Sequence, residues 1–130
     1  MTKKILVADD DLASRLLMAK AIEREGYSVI LASDGIRART ILDDNADIAL
    51  MITDIVMPGL DGRDLLRGLR RDGGFTQLPT IVVSGNVAED TVLADHVRGE
   101  TDAQLVDFLP KPVNIEELLR IVKTRTAPPN

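Results

Sequence analysis

Acidic residues at the ends of two apolar runs give this sequence its clearest chemical signal. Asp9, Asp10 and Asp11 directly follow the run that ends at Ala8, and Asp54 directly follows another run. If the two runs are neighbouring strands, these carboxylates converge, and their mutual repulsion requires raised pKa values or a bound cation. Mg²⁺ prefers oxygen ligands and retains waters, so two carboxylates and a backbone carbonyl would leave room for a phosphoryl oxygen.

A hydroxyl and an ammonium group follow two later apolar runs. Ser84 ends one run, and Lys111 lies between Pro110 and Pro112, which restrict the backbone around it. Each group can bind one phosphoryl oxygen while a metal ion binds another, which spreads the charge of a phosphoryl-transfer transition state. Asp54 would then be the nucleophile and form an acyl phosphate. Alone, each residue has an ordinary explanation as a turn residue, a helix cap or a solvated charge.

Short apolar runs alternate with longer segments of helical period, which indicates repeated β-α units. The runs are apolar on both faces, as expected for a parallel sheet covered by helices on both sides. The predicted strands are residues 4–8, 28–32, 48–53, 80–83 and 105–109. A right-handed βαβ series forms an open, doubly wound α/β sheet that binds ligands beyond the carboxyl ends of its strands.

The helical segments carry apolar stripes that should pack on this sheet. The stripes are Leu17, Met18, Ala21 and Ile22 in the first helix, Leu65, Leu66 and Leu69 in the third, and Ile115, Leu118, Leu119 and Val122 in the last. Residues 34–45 are the predicted second helix. Asn114 is the predicted N-cap of the last helix, with Glu117 three residues later.

Composition limits the class of protein. With 130 residues, 45% of them hydrophobic and 28% charged, the chain should form one globular domain. The net charge of -5 disfavours direct binding to nucleic acid, and the lack of cysteine excludes thiolate chemistry. No apolar run approaches the length of a signal peptide or of a membrane span, so we expect a cytoplasmic protein without membrane insertion.

Four motifs, in order along essentially the whole chain, resemble the receiver domain of two-component response regulators. They are ILVADDD at 5–11, TDIVMPGLDG at 53–62, VVS at 82–84 and FLPKP at 108–112. The resemblance implies a flavodoxin-like (βα)5 fold with strand order 2-1-3-4-5. We assign residues 1–125 to the receiver domain. Residues 126–130, whose prolines cannot continue a helix, would be a C-terminal tail or the start of a linker.

The resemblance also implies roles for the acidic residues. A histidine kinase or a histidine phosphotransfer protein would donate a phosphoryl group to Asp54. Mg²⁺ would be the cofactor, bound directly by Asp10 and Asp54, through water by Asp9, and by the backbone carbonyl of Val56. Asp11 lies one position past the usual acidic pair and is left out of the ligands.

A conformational switch is implied as well. Ser84 would move toward the phosphoryl group, which Lys111 also binds. Phe108 would then turn inward. This motion would change the surface formed by the family's fourth helix, fifth strand and fifth helix, which would signal to an unidentified downstream protein. The chain would be a signalling phosphoacceptor that assists its own phosphorylation and dephosphorylation, rather than an enzyme. Extra sequence near residues 98–104 departs from the family pattern and would alter this surface.

Two other functions are the alternatives. A phosphohydrolase of the haloacid dehalogenase type would carry a second aspartate two positions after Asp54, where this sequence has Val56. A receiver-like scaffold would bind partners without phosphorylation, although the complete set of acidic, hydroxyl and lysine residues disfavours this function.

Two weaker features have ordinary explanations. The basic side of the third helix is interpreted as a solvated face, with a docking patch for an acidic partner as the alternative. The single histidine, His96, is interpreted as a surface or core-edge residue. The basic side consists of Arg63, Arg67, Arg70 and Arg71.

Overall fold

The computed structural model describes residues 2–71, 75, 77–85 and 105–127. These residues form the strands and helices β1 (Lys4–Ala8), α1 (Leu12–Arg24), β2 (Ser28–Ala32), α2 (Gly35–Asp44), β3 (Ile48–Asp54), α3 (Gly62–Arg71), β4 (Thr80–Ser84), β5 (Val106–Pro110) and α4 (Ile115–Thr126). Helix α4 is the last helix predicted from the sequence. The family's fourth helix, His96 and residues 98–104 lie outside the described residues.

The five strands form one parallel sheet in the order β2-β1-β3-β4-β5. Ala8, the last residue of β1, pairs with Ala32 of β2 and with Thr53 of β3. The predicted doubly wound α/β sheet and its order 2-1-3-4-5 are therefore confirmed. Because parallel strands end at the same edge of a sheet, the acidic residues after β1 lie beside the end of β3.

The strand ends differ slightly from the predicted bounds. Strands β1 and β2 match the prediction, whereas β3 and β4 each extend one residue further and β5 is shifted by one residue. Asp54 and Ser84 are consequently the last residues of their strands, and Asp54 pairs with Val83 in the parallel ladder. The sheet itself therefore holds the backbone of both residues.

Helices cover both faces of the sheet. On one face, α1 and α4 pack on the strands through Met18, Ile22, Leu118 and Val122. On the other face, α2 and α3 pack through Ala38, Leu42, Leu65 and Leu69. Burying one leucine or isoleucine contributes about 1.5–3 kcal/mol, so this two-sided packing stabilises the edge on which the site is built.

One predicted core residue does not pack on the sheet. Leu17 is 56% exposed, whereas its neighbours Met18 and Ile22 are buried. Successive residues of an α-helix are rotated by about 100°, so a face centred on Met18 and Ile22 leaves Leu17 at its margin, toward solvent. The prediction for Leu17 is wrong because an apolar residue beside the buried face was counted with it.

The predicted N-cap of the last helix is confirmed. The Glu117 backbone N–H donates to Asn114 Oδ1 at 3.0 Å. Leu118 and Val122 are fully buried, and Ile115 packs against the same cluster. The helix that follows β5 is therefore held by both its cap and its apolar face, which limits the movement of the segment that carries Lys111.

Candidate functional site

Lys111 links two buried carboxylates. Its Nζ lies 2.9 Å from Asp54 Oδ2 and 2.9 Å from Asp9 Oδ2. Its backbone N–H donates to the carbonyl of Ser84 at 2.7 Å, which ties the segment after β5 to the end of β4, and the peptide bond to Pro112 is cis. Four of the residues predicted from sequence thus meet at the carboxyl edge of the sheet.

Three carboxylates converge at this edge. Asp9, Asp10 and Asp54 each offer one oxygen, and these oxygens lie within 4.8 Å of one another. Asp9 Oδ1 accepts a hydrogen bond from the backbone N–H of Asp11 at 3.0 Å, and the buried Asp9 Oδ2 has the Lys111 ammonium 2.9 Å away. Three carboxylates beside one ammonium still leave an excess of negative charge, which a bound cation would neutralise. Three hard oxygen donors fit Mg²⁺.

Burial and charge shift two pKa values in this cluster. Burial raises the pKa of the Asp54 carboxyl, Asp9 adds to that shift, and the ammonium of Lys111 opposes it without cancelling it. Burial alone would lower the pKa of Lys111, but the carboxylates of Asp9 and Asp54 outweigh it, so the pKa of Lys111 is raised. Lys111 therefore keeps its positive charge at neutral pH.

The loop of residues 55–61, directly after Asp54, is enclosed by two helix starts. A Cβ atom on Gly62 would overlap the carbonyl oxygen of Asp54, and a Cβ atom on Gly35 would overlap the carbonyl oxygen of Leu60. Only glycine permits α2 and α3 to begin this close to the loop. Val56, whose carbonyl is the predicted metal ligand, lies in this loop with an exposed side chain.

Two residues beside the cluster were not assigned roles from sequence. Arg15 Nη1 donates to the carbonyl of Asp9 at 2.7 Å, which holds the start of the acidic run against α1. Asp11 is the N-cap of α1, and its side chain accepts a hydrogen bond from the backbone N–H of Ser14 at 3.2 Å. Arg15 lies one helical turn after this cap, and that spacing was the available signal.

The predicted switch residues lie on the two neighbouring strands. Ser84 is largely buried at the end of β4 and pairs with Pro110, while Phe108 is half-buried on β5 and pairs with Val82. Phe108 packs against a cluster that consists of Ile55, Leu66, Val82 and Val106. This cluster includes Ile55, the residue after Asp54, so Phe108 packs against a cluster adjacent in sequence to the predicted phosphoacceptor.

Residues 5–123 match the family described as response regulator receiver domain. The chain belongs to this family. It is 40% identical to the response regulator MprA of Mycobacterium sp. strain KMS, over 98% of this chain and 54% of that protein. MprA of Mycobacterium tuberculosis strain H37Rv matches to the same extent, also 40% identical over 98% of this chain and 54% of its own length. The receiver domain described here thus spans about half the length of these curated relatives.

Solved structures show the same fold. A response regulator receiver protein from Pseudomonas putida is 33% identical with a TM-score of 0.82, and the match covers 95% of this chain and 98% of that one. The chemotaxis protein CheY4 of Vibrio cholerae shares the fold with a TM-score of 0.79 at 23% identity, over 95% of this receiver domain and 98% of CheY4. In the described part of the receiver domain, no helix has the length and apolarity that crossing a bilayer requires.

Proposed function

We propose that this receiver domain takes a phosphoryl group onto Asp54 within a two-component phosphorelay. A histidine kinase or a histidine phosphotransfer protein would be the donor. The observation that carries the proposal is the position of Lys111 Nζ, 2.9 Å from the carboxylates of both Asp9 and Asp54. A structural ion pair needs one carboxylate, whereas this lysine faces two in a cluster of three.

Transfer would begin with attack of an Asp54 carboxylate oxygen on the phosphorus of a phosphohistidine. The new P–O bond forms as the P–N bond breaks, and the electron pair of that bond returns to the imidazole. Lys111 favours the ionised form of Asp54 that attack requires, because its charge opposes the effect of burial on the Asp54 pKa. The Lys111 ammonium and the Ser84 hydroxyl would each bind an oxygen of the transferred group.

Asp9, Asp10, Asp54 and the carbonyl of Val56 would hold Mg²⁺. When bound, Mg²⁺ supplies positive charge between the carboxylates and the phosphoryl oxygens. Asp10 offers an exposed carboxylate, whereas Asp9 is buried and already paired with Lys111 at 2.9 Å, which supports direct binding of the metal by Asp10. Arg15 would keep Asp9 in place through the Asp9 carbonyl.

Exposed leucines beside the acidic run support a protein as the phosphodonor. Helix α1 begins at Leu12, directly after the aspartates, and this residue is 57% exposed. Leu16 and Leu17 are also exposed on the same helix, and Val56 is exposed in the loop after Asp54. Apolar side chains grouped around a charged site favour contact with another protein surface. We propose that the donor docks on these residues.

We further propose that the signal leaves through Ser84, Phe108 and the surface formed by the family's fourth helix, β5 and α4. The packing of Phe108 against Ile55, next to Asp54, supports this path. Residues 1–125 would be the functional unit, although α4 itself extends to Thr126. The downstream target would be a protein rather than nucleic acid, and the location would be the cytoplasm.

Phosphorylation of the full chain by acetyl phosphate with Mg²⁺ tests the proposal. Intact-mass spectrometry should show addition of one phosphoryl group to the wild type and none to Asp54→Asn. Asp11→Asn is the matched control, because Asp11 caps α1 and should not bind the metal. A modified Asp54→Asn protein would refute the assignment. A folded wild type that acetyl phosphate does not modify would favour the scaffold function.

A further inference from the structure

A basic groove lies between α2 and α3. Arg39 of α2 and Arg67 and Arg71 of α3 line it. Asp64 also lines the groove and Asp43 pairs with Arg39, so among the described residues three arginines against two carboxylates leave a net charge of +1, although the whole chain carries a charge of -5. The groove encloses about 560 Å³. A positive groove on an acidic protein attracts anionic ligands that the rest of the surface repels.

Two of the arginines are held in place by contacts within the protein. Arg39 Nε donates to both carboxylate oxygens of Asp43, at 3.1 and 3.2 Å, and its guanidinium carbon lies 5.6 Å from the centre of the Phe75 ring. Arg67 Nη1 lies 3.4 Å from Asp64 Oδ1. Guanidinium groups ordered in advance lose less entropy when they bind a carboxylate, which favours recognition over transient attraction.

The groove also contains a glycine, Gly68, from the interior of α3. Gly68 lines the groove, yet glycine weakens a helix relative to alanine. Its φ angle is not positive, and a Cβ atom would meet only Arg39 Nη1, at an ordinary contact distance of 3.9 Å. Neither backbone conformation nor close packing requires glycine here. Its effect is to leave the groove wide beside Arg39, where a longer side chain would narrow it.

We propose that this groove binds an acidic peptide segment of a partner protein that also carries apolar side chains. Glutamate or aspartate side chains would pair with Arg71 and with the outward N–H groups of Arg39 and Arg67, and apolar side chains would pack on the half-buried Leu60. A peptide is favoured over nucleic acid because the net charge of -5 repels a long phosphate backbone. The groove is a docking surface in addition to the exposed leucines of α1.

Fluorescence anisotropy with the full chain tests this inference. The probe is a fluorescein-labelled peptide of glutamates interspersed with leucines, and the reference peptide has glutamine in place of each glutamate. The acidic peptide should bind saturably, and added salt should weaken it. Arg67→Gln should weaken binding about two- to fivefold, as for one exposed ion pair. Gly68→Gln should also weaken binding, because its side chain narrows the groove beside Arg39 without a change of charge.

Arg120→Gln is the matched control, because Arg120 is an exposed arginine on α4 with a weak pair to Glu117 at 3.8 Å. It should bind the acidic peptide like the wild type, and circular dichroism should show the same helix content in every variant. Asp54→Asn should also bind normally, which separates this inference from the proposed function. No saturable binding, equal binding of the glutamine peptide, equal weakening by Arg120→Gln, or tighter binding of a single-stranded oligonucleotide would each overturn it.

Discussion

The two edges of the sheet differ in how their charged side chains are paired. At the amino edge, charges are paired singly near solvent: Lys4 with Asp47 at 2.9 Å and Lys123 with Glu25 at 3.0 Å. At the carboxyl edge, three aspartates lie close together, and the two buried ones, Asp9 and Asp54, share one lysine, Lys111. An edge arranged only for stability would not collect unbalanced carboxylates. We therefore expect the excess of carboxylates at this edge to cost stability, and the proposed Mg²⁺ to offset that cost.

The largest loss of stability at the carboxyl edge should come from Gly62→Ala. The new Cβ would overlap the carbonyl oxygen of Asp54, and backbone on both sides leaves little room for adjustment. We expect a loss of about 3 kcal/mol in unfolding free energy, at the upper end for overpacking. Urea denaturation measures this loss. Gly68→Ala, in the same helix but without a close contact, is the control and should be neutral or stabilising.

Lys111→Met should have the next largest effect. It leaves the buried carboxylates of Asp9 and Asp54 without a compensating charge, while methionine retains most of the apolar volume. We expect about 2 kcal/mol of destabilisation, less than for a fully buried pair because Lys111 keeps some contact with solvent. Mg²⁺ should restore part of this loss by neutralising the same oxygens. Thermal unfolding with Mg²⁺ and with EDTA tests both effects, and equal melting temperatures in the two conditions would contradict the metal site.

Tyr27→Phe at the amino edge should have a smaller effect without any dependence on Mg²⁺. Tyr27 Oη and Thr126 Oγ1 are 2.9 Å apart, and the Thr126 carbonyl also accepts from Lys3 Nζ. Loss of this hydrogen bond between α4 and the turn before β2 should cost about 1 kcal/mol. Chemical denaturation measures the change. A change in the yield of Asp54 phosphorylation would show that the two edges are not independent.

Sequence predicts the architecture well because hydrophobic period and strand-end residues report on local structure. Strands β1 and β2 match their predicted bounds: Lys3 and Asp9 border β1, and Gly26 and Asp34 lie within two residues of the ends of β2. The predicted ends of β3 and β4 fall one residue short. Asp54 and Ser84 are polar and resemble residues after a strand, but their backbones still pair in the parallel sheet. A hydrophobicity pattern reports on side chains, whereas a strand ends at its last hydrogen-bonded backbone pair.

The site was predicted only in part, because some of its contacts join segments that are distant in sequence. The carboxylates and Lys111 could be placed at one edge from strand order alone. The overlap that excludes a side chain at Gly62 or Gly35 depends on the angle at which a helix meets a loop. The pairing of Lys111 with both Asp9 and Asp54, rather than one, likewise depends on distances that no local pattern encodes.

The smallest expected effect has the opposite sign. Asp10→Asn removes one of three repelling carboxylates, but it also removes a negative charge near the start of α1, where the helix dipole favours it. The net stabilisation without Mg²⁺ should be about 0.5 kcal/mol, and Mg²⁺ binding measured by calorimetry should weaken about tenfold. Asp47→Asn at the amino edge is the matched control, because it deprives Lys4 of its partner and should be neutral or slightly destabilising, with unchanged Mg²⁺ binding. If both variants shift stability in the same direction, the contrast between the two edges fails, since removal of an aspartate relieves repulsion only where carboxylates outnumber their cations.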